Sequence, residues 1–472
     1  MSSEKADLVV IGGGPGGYAA AFYAADQGMD VTLIDPAKNP GGVCLYRGCI
    51  PSKALLHVSG LIAEAREAEN WGITFSEPDI NIDKLRAFKN KVVKRLTGGL
   101  GQLVKQRKVN HLQATAAFAD NKTLHITDTE GNESTLSFNK AIIATGSRPF
   151  ILPAFQIDSN RVMDSTSALE LENVPEKLLI IGGGYIGLEM GTVYASLGSK
   201  VSVVEMLPGI LPGADRDLVK VLQKTLDKRF ESIMLNTKVT QIEDTGKGIK
   251  VSLEGDTNKQ ETFDKVIVSI GRIPNSENLG LENTGIKLTD RGFIQIDEQR
   301  RTHEENIYAI GDIAGEPMLA HKASHEGITA VEAIAGEKTA FEPAAIPAVV
   351  FTNPDLAWTG LTEEQAKKQK REIQVARFPW AASGRSLTMD RTDGLTKLII
   401  DPESERVLGM GIVGPGAGEL IGEGTLAIEM AANATDLKMT IHPHPTLSET
   451  LMETAEMIYG TSTHVYRPKR KK

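Results

Sequence analysis

Asp7 to Asp35 reads DLVVIGGGPGGYAAAFYAADQGMDVTLID. The run from Asp7 to Ile11 is apolar and β-branched, which predicts a buried strand. Glycines follow at once, and then the small-residue stretch Tyr18-Ala19-Ala20-Ala21, so the order is strand, tight turn, helix. Gly12, Gly14 and Gly17 supply the GxGxxG spacing: one glycine for the turn, one for close approach of a pyrophosphate to backbone, one for tight helix-on-strand packing. A second strand, Val31 to Ile34, ends at Asp35, whose carboxylate is placed to accept hydrogen bonds from a ribose hydroxyl. GxGxxG alone is a weak signal. Strand, glycines, helix, strand and terminal acid in that order predict a dinucleotide site rather than a glycine-rich turn that merely packs a helix.

The pattern returns. Leu178 to Ile181 (LLII) leads into Gly182-Gly183-Gly184-Tyr185-Ile186-Gly187, a helix through Glu189 and Met190, and a strand from Val201 to Val204 that ends at Glu205. Glu205 stands at the same offset from Gly182 as Asp35 does from Gly12. This is an internal repeat at domain scale, with Gly182, Gly184, Gly187 and Glu205 in the corresponding places. Two such sites imply electron transfer between two bound dinucleotides. Met206-Leu207-Pro208 follows Glu205 with no Arg or Lys to meet a ribose phosphate, so the second site suits NAD better than NADP.

Both cysteines of the 472-residue chain, Cys44 and Cys49, lie in GGVCLYRGCIPSK between Gly41 and Lys53. A staple gains most by closing a long loop, so this close spacing points to redox chemistry rather than to two buried thiols. If the segment is helical, the two sulfurs lie on poorly aligned faces and a bond between them is easily reduced. Cys44 is expected near a helix N-terminus, where unpaired N–H groups favour a thiolate. The chain is 41% hydrophobic and 24% charged, the composition of a globular protein of three or four domains. Its net charge of -9 argues against a general nucleic-acid binder, with Arg467 to Lys472 read as a solvated basic tail. No signal-peptide pattern and no apolar run of ~20 residues is present, so the expectation is no membrane span and a reducing, cytoplasmic compartment, where a disulfide is usually catalytic.

Helical periodicity covers Ile62 to Glu69 and Ile82 to Lys108, the second with many lysines. Ala141 to Pro149 and Val266 to Asn275 each close a unit with an apolar strand, a glycine turn and a proline. Ile307 to Ile310 is another buried strand, ending at Gly311-Asp312, where an acid suits either a polyol hydroxyl or a turn. From about Phe341 alternating strands (Ala348 to Phe351, Lys397 to Ile400, Gly411 to Val413) and a helix near Glu419 to Ala432 predict a separate C-terminal domain. Near the end stands HPHPTLSE, His442 to Glu449, with Thr446 or Ser448 as candidate helix caps. A histidine held by a carboxylate makes a general base near neutral pH, which fits His444 and Glu449. No third ligand lies at useful spacing for a metal, so none is expected.

Taken together these motifs resemble the pyridine nucleotide-disulfide oxidoreductases over nearly the whole chain, and within them the members that act on dihydrolipoamide. The resemblance implies an α/β fold with two Rossmann-like dinucleotide-binding domains and an α+β dimerisation domain. Its divisions would be 1–148 for the first part of the FAD-binding domain, 149–272 for the NAD-binding domain, 273–344 for the central FAD-binding part and 345–472 for the interface domain. It implies FAD at Gly12, Gly14, Gly17, Asp35, Lys53, Gly311 and Asp312, with backbone contacts from Ala116 and Ala320. NAD would lie at Gly182, Gly184, Gly187, Glu205 and Gly271. Cys44 would exchange with the dithiol substrate and the released Cys49 thiolate would face the flavin. His444, paired with Glu449, would act as base on the disulfide of the other subunit of a homodimer. Implied partners are the lipoyl domains and acyltransferase core of 2-oxo acid dehydrogenase complexes, or the lipoyl carrier of glycine cleavage.

A glutathione-reductase-like enzyme is disfavoured by Glu205 and by Ile50-Pro51-Ser52 after Cys49. A mercuric reductase needs a further cysteine pair. A non-catalytic flavoprotein scaffold has no use for the cysteines and His444, and a transhydrogenase needs no thiols. Tyr46-Arg47 departs from the Asn-Val common in the resembling family, which places a phenol and a cation beside the dithiol. Asp35 stands where Glu is more usual.

Overall fold

The computed structural model describes residues 4–466, so the basic tail from Arg467 to Lys472 lies outside the described residues. Two parallel sheets repeat one construction. In the first, strand Glu4–Ile11 lies between Val31–Ile34 and Glu133–Ile143, all parallel, with Asn110–Leu112 and Ile307–Ala309 extending the parallel set. Strands Ala114–Phe118 and Thr123–Asp128 add an antiparallel flank. In the second sheet Lys177–Ile181 lies between Lys200–Val204 and Lys265–Val268, with Ser232–Met234 and Val162–Met163 outside them.

The registers match. Leu8 to Ile11 pair with Val31 to Ile34, and Leu178 to Ile181 pair with Val201 to Val204. Each set is buried on both faces, which is why these runs are almost wholly apolar, broken only by Thr32 and Ser202, instead of alternating. The mixed α/β architecture is thus the one expected from the sequence. A three-stranded antiparallel sheet, Thr237–Asp244, Ile249–Gly255 and Lys259–Phe263, covers the second unit. A short antiparallel pair, Ser147–Pro149 with Arg272–Pro274, joins the two units.

The C-terminal part is a five-stranded antiparallel sheet in the order Ala348–Val350, Leu356–Gly360, Val407–Val413, Leu395–Ile400, Gln374–Pro379. Helices Ala417–Glu429 and Glu449–Tyr459 pack on it around a core that includes Phe378, Trp380 and Leu451. Among the described residues no helix is long and apolar enough to cross a membrane.

Candidate functional site

The two glycine turns are near copies. Gly12 has φ +107° and Gly182 φ +110°, and a side chain on either meets backbone, Ala144 O at 2.3 Å or Ser269 O at 2.4 Å. Gly17 and Gly187 stand on the carbonyls of Gly12 and Gly182, where a Cβ would come within 1.8 and 2.3 Å. Gly14 and Gly184 differ: a Cβ there meets nothing within 4 Å. No protein packing demands glycine at these two positions, and each opens a helix, Pro15–Asp26 or Tyr185–Ser196, whose first turn has neither an acidic residue nor a capping side chain. An open cradle at an uncapped helix N-terminus fits the pyrophosphate of a dinucleotide.

The acids close the same loop in both copies. Asp35 accepts hydrogen bonds from Gly13 N at 2.6 Å and Ala37 N at 2.9 Å. Glu205 accepts from Gly183 N at 2.7 Å and Leu207 N at 2.8 Å. Each carboxylate is fixed at the end of its strand beside the glycine turn, in position for a ribose. Gly271, expected in the second site, has φ +140°, and its carbonyl accepts from Phe150 N at 3.0 Å.

The cysteine stretch is seated on the first turn. Gly41 N donates to Gly13 O at 2.7 Å, and a Cβ on Gly42, whose φ is +55°, would fall 2.5 Å from Gly14 Cα. Gly42 is therefore the footprint of backbone resting on backbone, while a Cβ on Gly41 would meet the side chains of Leu45, Tyr46 and Thr97. The expected single helix is broken: Gly42–Arg47 ends at Gly48 and a new helix, Cys49–Glu67, begins at Cys49. A Cβ on Gly48 would lie 2.9 Å from Val43 O, so the break also requires glycine.

Cys44 lies in the first turn of its helix, as expected, and Cys49 opens the next one. Cys49 takes the first position of a 19-residue helix and Cys44 the third of a six-residue one. Both are free thiols here. The hydrogen bond from Cys44, working against burial and aided by the Lys53 charge, brings Cys49 down to about 7. The same hydrogen bond, with burial, pushes Cys44 up.

Both cysteines line a cavity of about 460 Å³. Its walls include Gly12, Gly14, Asp35, Lys53, Ala116, Gly311, Asp312 and Ala320, so most of the first predicted set converges there, while Gly17 packs beneath. The second set lies outside, but Tyr185, Ile186, Glu189 and Arg272 form one wall, which brings the start of the second glycine-turn helix to the cysteines. Asp312 accepts from Ser147 Oγ at 2.5 Å, and Arg272 donates to Ser147 Oγ and O at 2.7 and 2.6 Å. Burial pushes Tyr185 up to about 12, so its hydroxyl stays protonated against this wall.

Glu189, Ser147 and Arg272 are site residues that the sequence reading passed over. Glu189 is buried and holds Lys53 Nζ at 2.8 and 3.0 Å, while Phe351 N donates to it at 3.1 Å. The signal was present: a lone carboxylate in GLEMGTVY, on a helix otherwise apolar or small, needs a partner when buried.

In the histidine turn, His444 Nδ1 lies 2.8 Å from Glu449 Oε1, and Glu449 Oε2 accepts from Thr446 N at 2.8 Å. Against the burial that would raise it, the Thr446 and His444 bonds hold the Glu449 carboxyl below its ordinary value. Neither expected cap acts as one: Thr446 Oγ1 and Ser448 Oγ bond to each other at 2.9 Å, and Thr446 also donates to Pro443 O. His444 is 71% exposed and is not part of the cavity wall, so one chain pairs the histidine with its acid but does not bring either to Cys44.

His442 is engaged separately, by Thr440 O and Glu423 Oε1 at 2.9 and 2.8 Å. Among the described residues, the one trio of acids close enough to share a cation is Asp215, Asp217 and Glu363, and the Lys397 ammonium takes that place, 2.7 Å from Asp215 and 3.0 Å from Asp217.

Comparison with known proteins agrees with this geometry. Residues 6–327 match the model of the pyridine nucleotide-disulphide oxidoreductase family, and 346–455 match the dimerisation domain of the same family. The chain is 50% identical to dihydrolipoyl dehydrogenase of Haemophilus influenzae, with 100% of this chain and 99% of that protein covered. It is 50% identical to that of Vibrio cholerae, covering 100% of both, and 45% identical to that of Staphylococcus aureus, covering 98% of both. Among solved structures it resembles LpdA of Mycobacterium tuberculosis, with TM-score 0.89, 26% identity and coverage of 96% and 99%. The HOCl-induced flavoprotein disulfide reductase RclA of Escherichia coli is similar too, with TM-score 0.85, 28% identity and coverage of 96% and 100%.

Proposed function

The chain belongs to the pyridine nucleotide-disulphide oxidoreductase family, and from that membership we infer that it oxidises dihydrolipoamide to lipoamide while reducing NAD to NADH, with FAD and the Cys44–Cys49 pair between them. The observation that carries the reading is one cavity in which Cys44 and Cys49 meet the first glycine turn with Asp35 and the beginning of the second glycine-turn helix.

Gly12, Gly14, Asp35, Asp312 and the N-termini of helices Pro15–Asp26 and Ala320–Ile334 would hold FAD, with Gly17 packing the helix behind them and Ala116 lining the cavity. Gly182, Gly184, Gly187 and Glu205, with Gly271 at the neighbouring strand end, would hold NAD. FAD, when bound, supplies the carrier that takes an electron pair from the dithiol and gives it up as hydride to NAD.

The chain's own residues do the thiol chemistry. His444 of a second copy takes the proton of one substrate thiol, helped by Glu449, which fixes the imidazole through Nδ1 and stabilises its charged form. The substrate thiolate attacks Cys44 Sγ in the oxidised pair, forming a mixed disulfide and breaking the Cys44–Cys49 bond. Cys49 leaves as a thiolate, the role that the helix N-terminus and Lys53 favour. The second substrate thiol then displaces Cys44, releasing lipoamide. The electron pair from that oxidation stays on the dithiol beside Lys53 and Glu189.

The division of the chain into 1–148, 149–272, 273–344 and 345–472 goes with this reading, since the strands of the two parallel sheets group in that way. Leu426, Met430, Met439 and Ile441 expose a large apolar area on the C-terminal part, which suits burial in a homodimer and would bring the partner's His444 to the cavity. A cytoplasmic place among the lipoyl domains and acyltransferase core of 2-oxo acid dehydrogenase complexes, or with the lipoyl carrier of glycine cleavage, completes it.

The test is an assay of purified, FAD-loaded protein with dihydrolipoamide, offering NAD and NADP side by side. NADH formation with little NADPH is expected, and absence of turnover with NAD overturns the reading. Cys44→Ser is expected to lose lipoamide turnover while still oxidising NADH with artificial acceptors; undiminished lipoamide turnover would remove the thiols from the reaction.

A further inference from the structure

We propose that Thr450 is a positioning residue for the reaction: a buried chain of hydrogen bonds from Trp380 through Thr396 and Thr450 fixes the turn that presents His444. This rests on the role given to His444 above and adds the device that holds it.

Trp380 Nε1 donates to Thr396 Oγ1 at 2.9 Å, Thr396 Oγ1 donates to Thr450 Oγ1 at 2.8 Å, and Thr450 Oγ1 donates to Leu447 O at 2.7 Å. All three side chains are fully buried, at 0% exposure. The direction is set at both ends, because an indole N–H only donates and a carbonyl only accepts. Each hydroxyl between them therefore has one orientation, and bonds in such a row strengthen one another in a low-dielectric interior.

The chain begins on a rigid base. Trp380 N donates to Gly394 O at 2.9 Å, and the indole lies so close to two glycines that a Cβ on Gly394 or Gly414 would fall 2.3 or 2.4 Å from it. It ends at Leu447, whose carbonyl also accepts Thr450 N at 3.1 Å. Leu447 lies between His444 and Glu449, so the anchored carbonyl fixes the turn in which the imidazole and carboxylate meet. His444 itself is exposed, and its one side-chain hydrogen bond among the described residues is to Glu449. The placement of the pair relative to the sheet therefore depends on how the turn is tied down. Thr450 is the last side chain of that tie, and it touches neither the cysteines nor the cavity.

The experiment compares Thr450→Val and Thr450→Ser with the parent in the FAD-loaded dimer. Valine keeps the shape but can neither accept from Thr396 nor donate to Leu447; serine can do both. Thr450→Val is expected to lower kcat for dihydrolipoamide about 10–100-fold, the range that loss of alignment produces. It should displace the acid limb of the kcat profile against pH, leave NADH oxidation by ferricyanide unchanged, and be rescued by Thr450→Ser. Wild-type kcat and pH profile in Thr450→Val overturn the proposal, as does parallel loss of both activities in intact dimer. If Thr450→Val does not fold, Thr396→Val decides by the same readouts. His444→Gln run alongside separates the two claims: if it keeps lipoamide turnover the role of His444 falls, and if it loses turnover while Thr450→Val does not, only the role of Thr450 falls.

Discussion

Lys53 Nζ sits 2.8 Å from Glu189 Oε2, and this bond ties the helix that begins at Cys49 to the helix that begins at the second glycine turn. Glu189 is 4% exposed and Lys53 32%, so the pair stands between the surface and buried limits. Lys53→Met leaves the carboxylate with the Phe351 N–H as its remaining donor and is expected to cost about 1–3 kcal/mol. Urea unfolding of the holoenzyme checks it; an unchanged midpoint would mean that the pair adds nothing to stability.

The reduced dithiol should titrate unevenly. Cys49 is brought down to about 7 by the Cys44 hydrogen bond, so its thiolate is present above that pH and lost below it, whereas an unperturbed thiol ionises near ~8.5. Ultraviolet thiolate absorbance of the reduced protein should be half developed near pH 7, and Cys49→Ser should abolish that phase. A Cys49→Ser protein that keeps the same titration would reassign the thiolate.

Arg47 is exposed at the end of helix Gly42–Arg47 and lines the cavity beside Cys44. A nearby cation favours thiolate, hence the reduced pair. Arg47→Val should make the disulfide harder to reduce by about 10–20 mV, the equivalent of a surface charge contribution of up to ~1 kcal/mol. Stepwise equilibration with NADH/NAD mixtures measures this, and identical titration of the two proteins disposes of it.

Glu205→Ala removes the acceptor for Gly183 N and Leu207 N and the carboxylate offered to a ribose. Hydrogen bonds to a charged group contribute ~1.5–3 kcal/mol, so the KM for NAD should rise at least ~10-fold. Because the negative charge also goes, discrimination against NADP should narrow. Paired KM determinations for the two coenzymes read both effects, and an unaltered ratio would count against electrostatic exclusion.

The glycine turns, their acids and the strands before them were legible because each is a local pattern whose demands are met within one βαβ unit. At Gly14 and Gly184 the structure leaves open space where the sequence reading reserved room for a ligand. The break between the two cysteine helices was not legible: it depended on Gly48 ending one helix so that Cys49 could begin another, a steric fact about Val43 O. The histidine turn was found from its spacing, but its anchorage runs through Trp380 and Thr396 to Thr450, a helix residue 54 positions beyond Thr396. Nothing local in Thr396 or Thr450 distinguishes them from ordinary buried threonines. Glu189 fell between these cases, conspicuous by its charge, with a partner 136 residues away.

Gly41 N on Gly13 O, and Gly42 against Gly14, set the backbone of the cysteine stretch directly on that of the first glycine turn. The two motifs consequently share one tolerance. A substitution that lifts either backbone by a few tenths of an ångström displaces the other, so neither can drift in sequence on its own. Descendants of this chain would have to change thiol spacing and coenzyme grip together, or change neither.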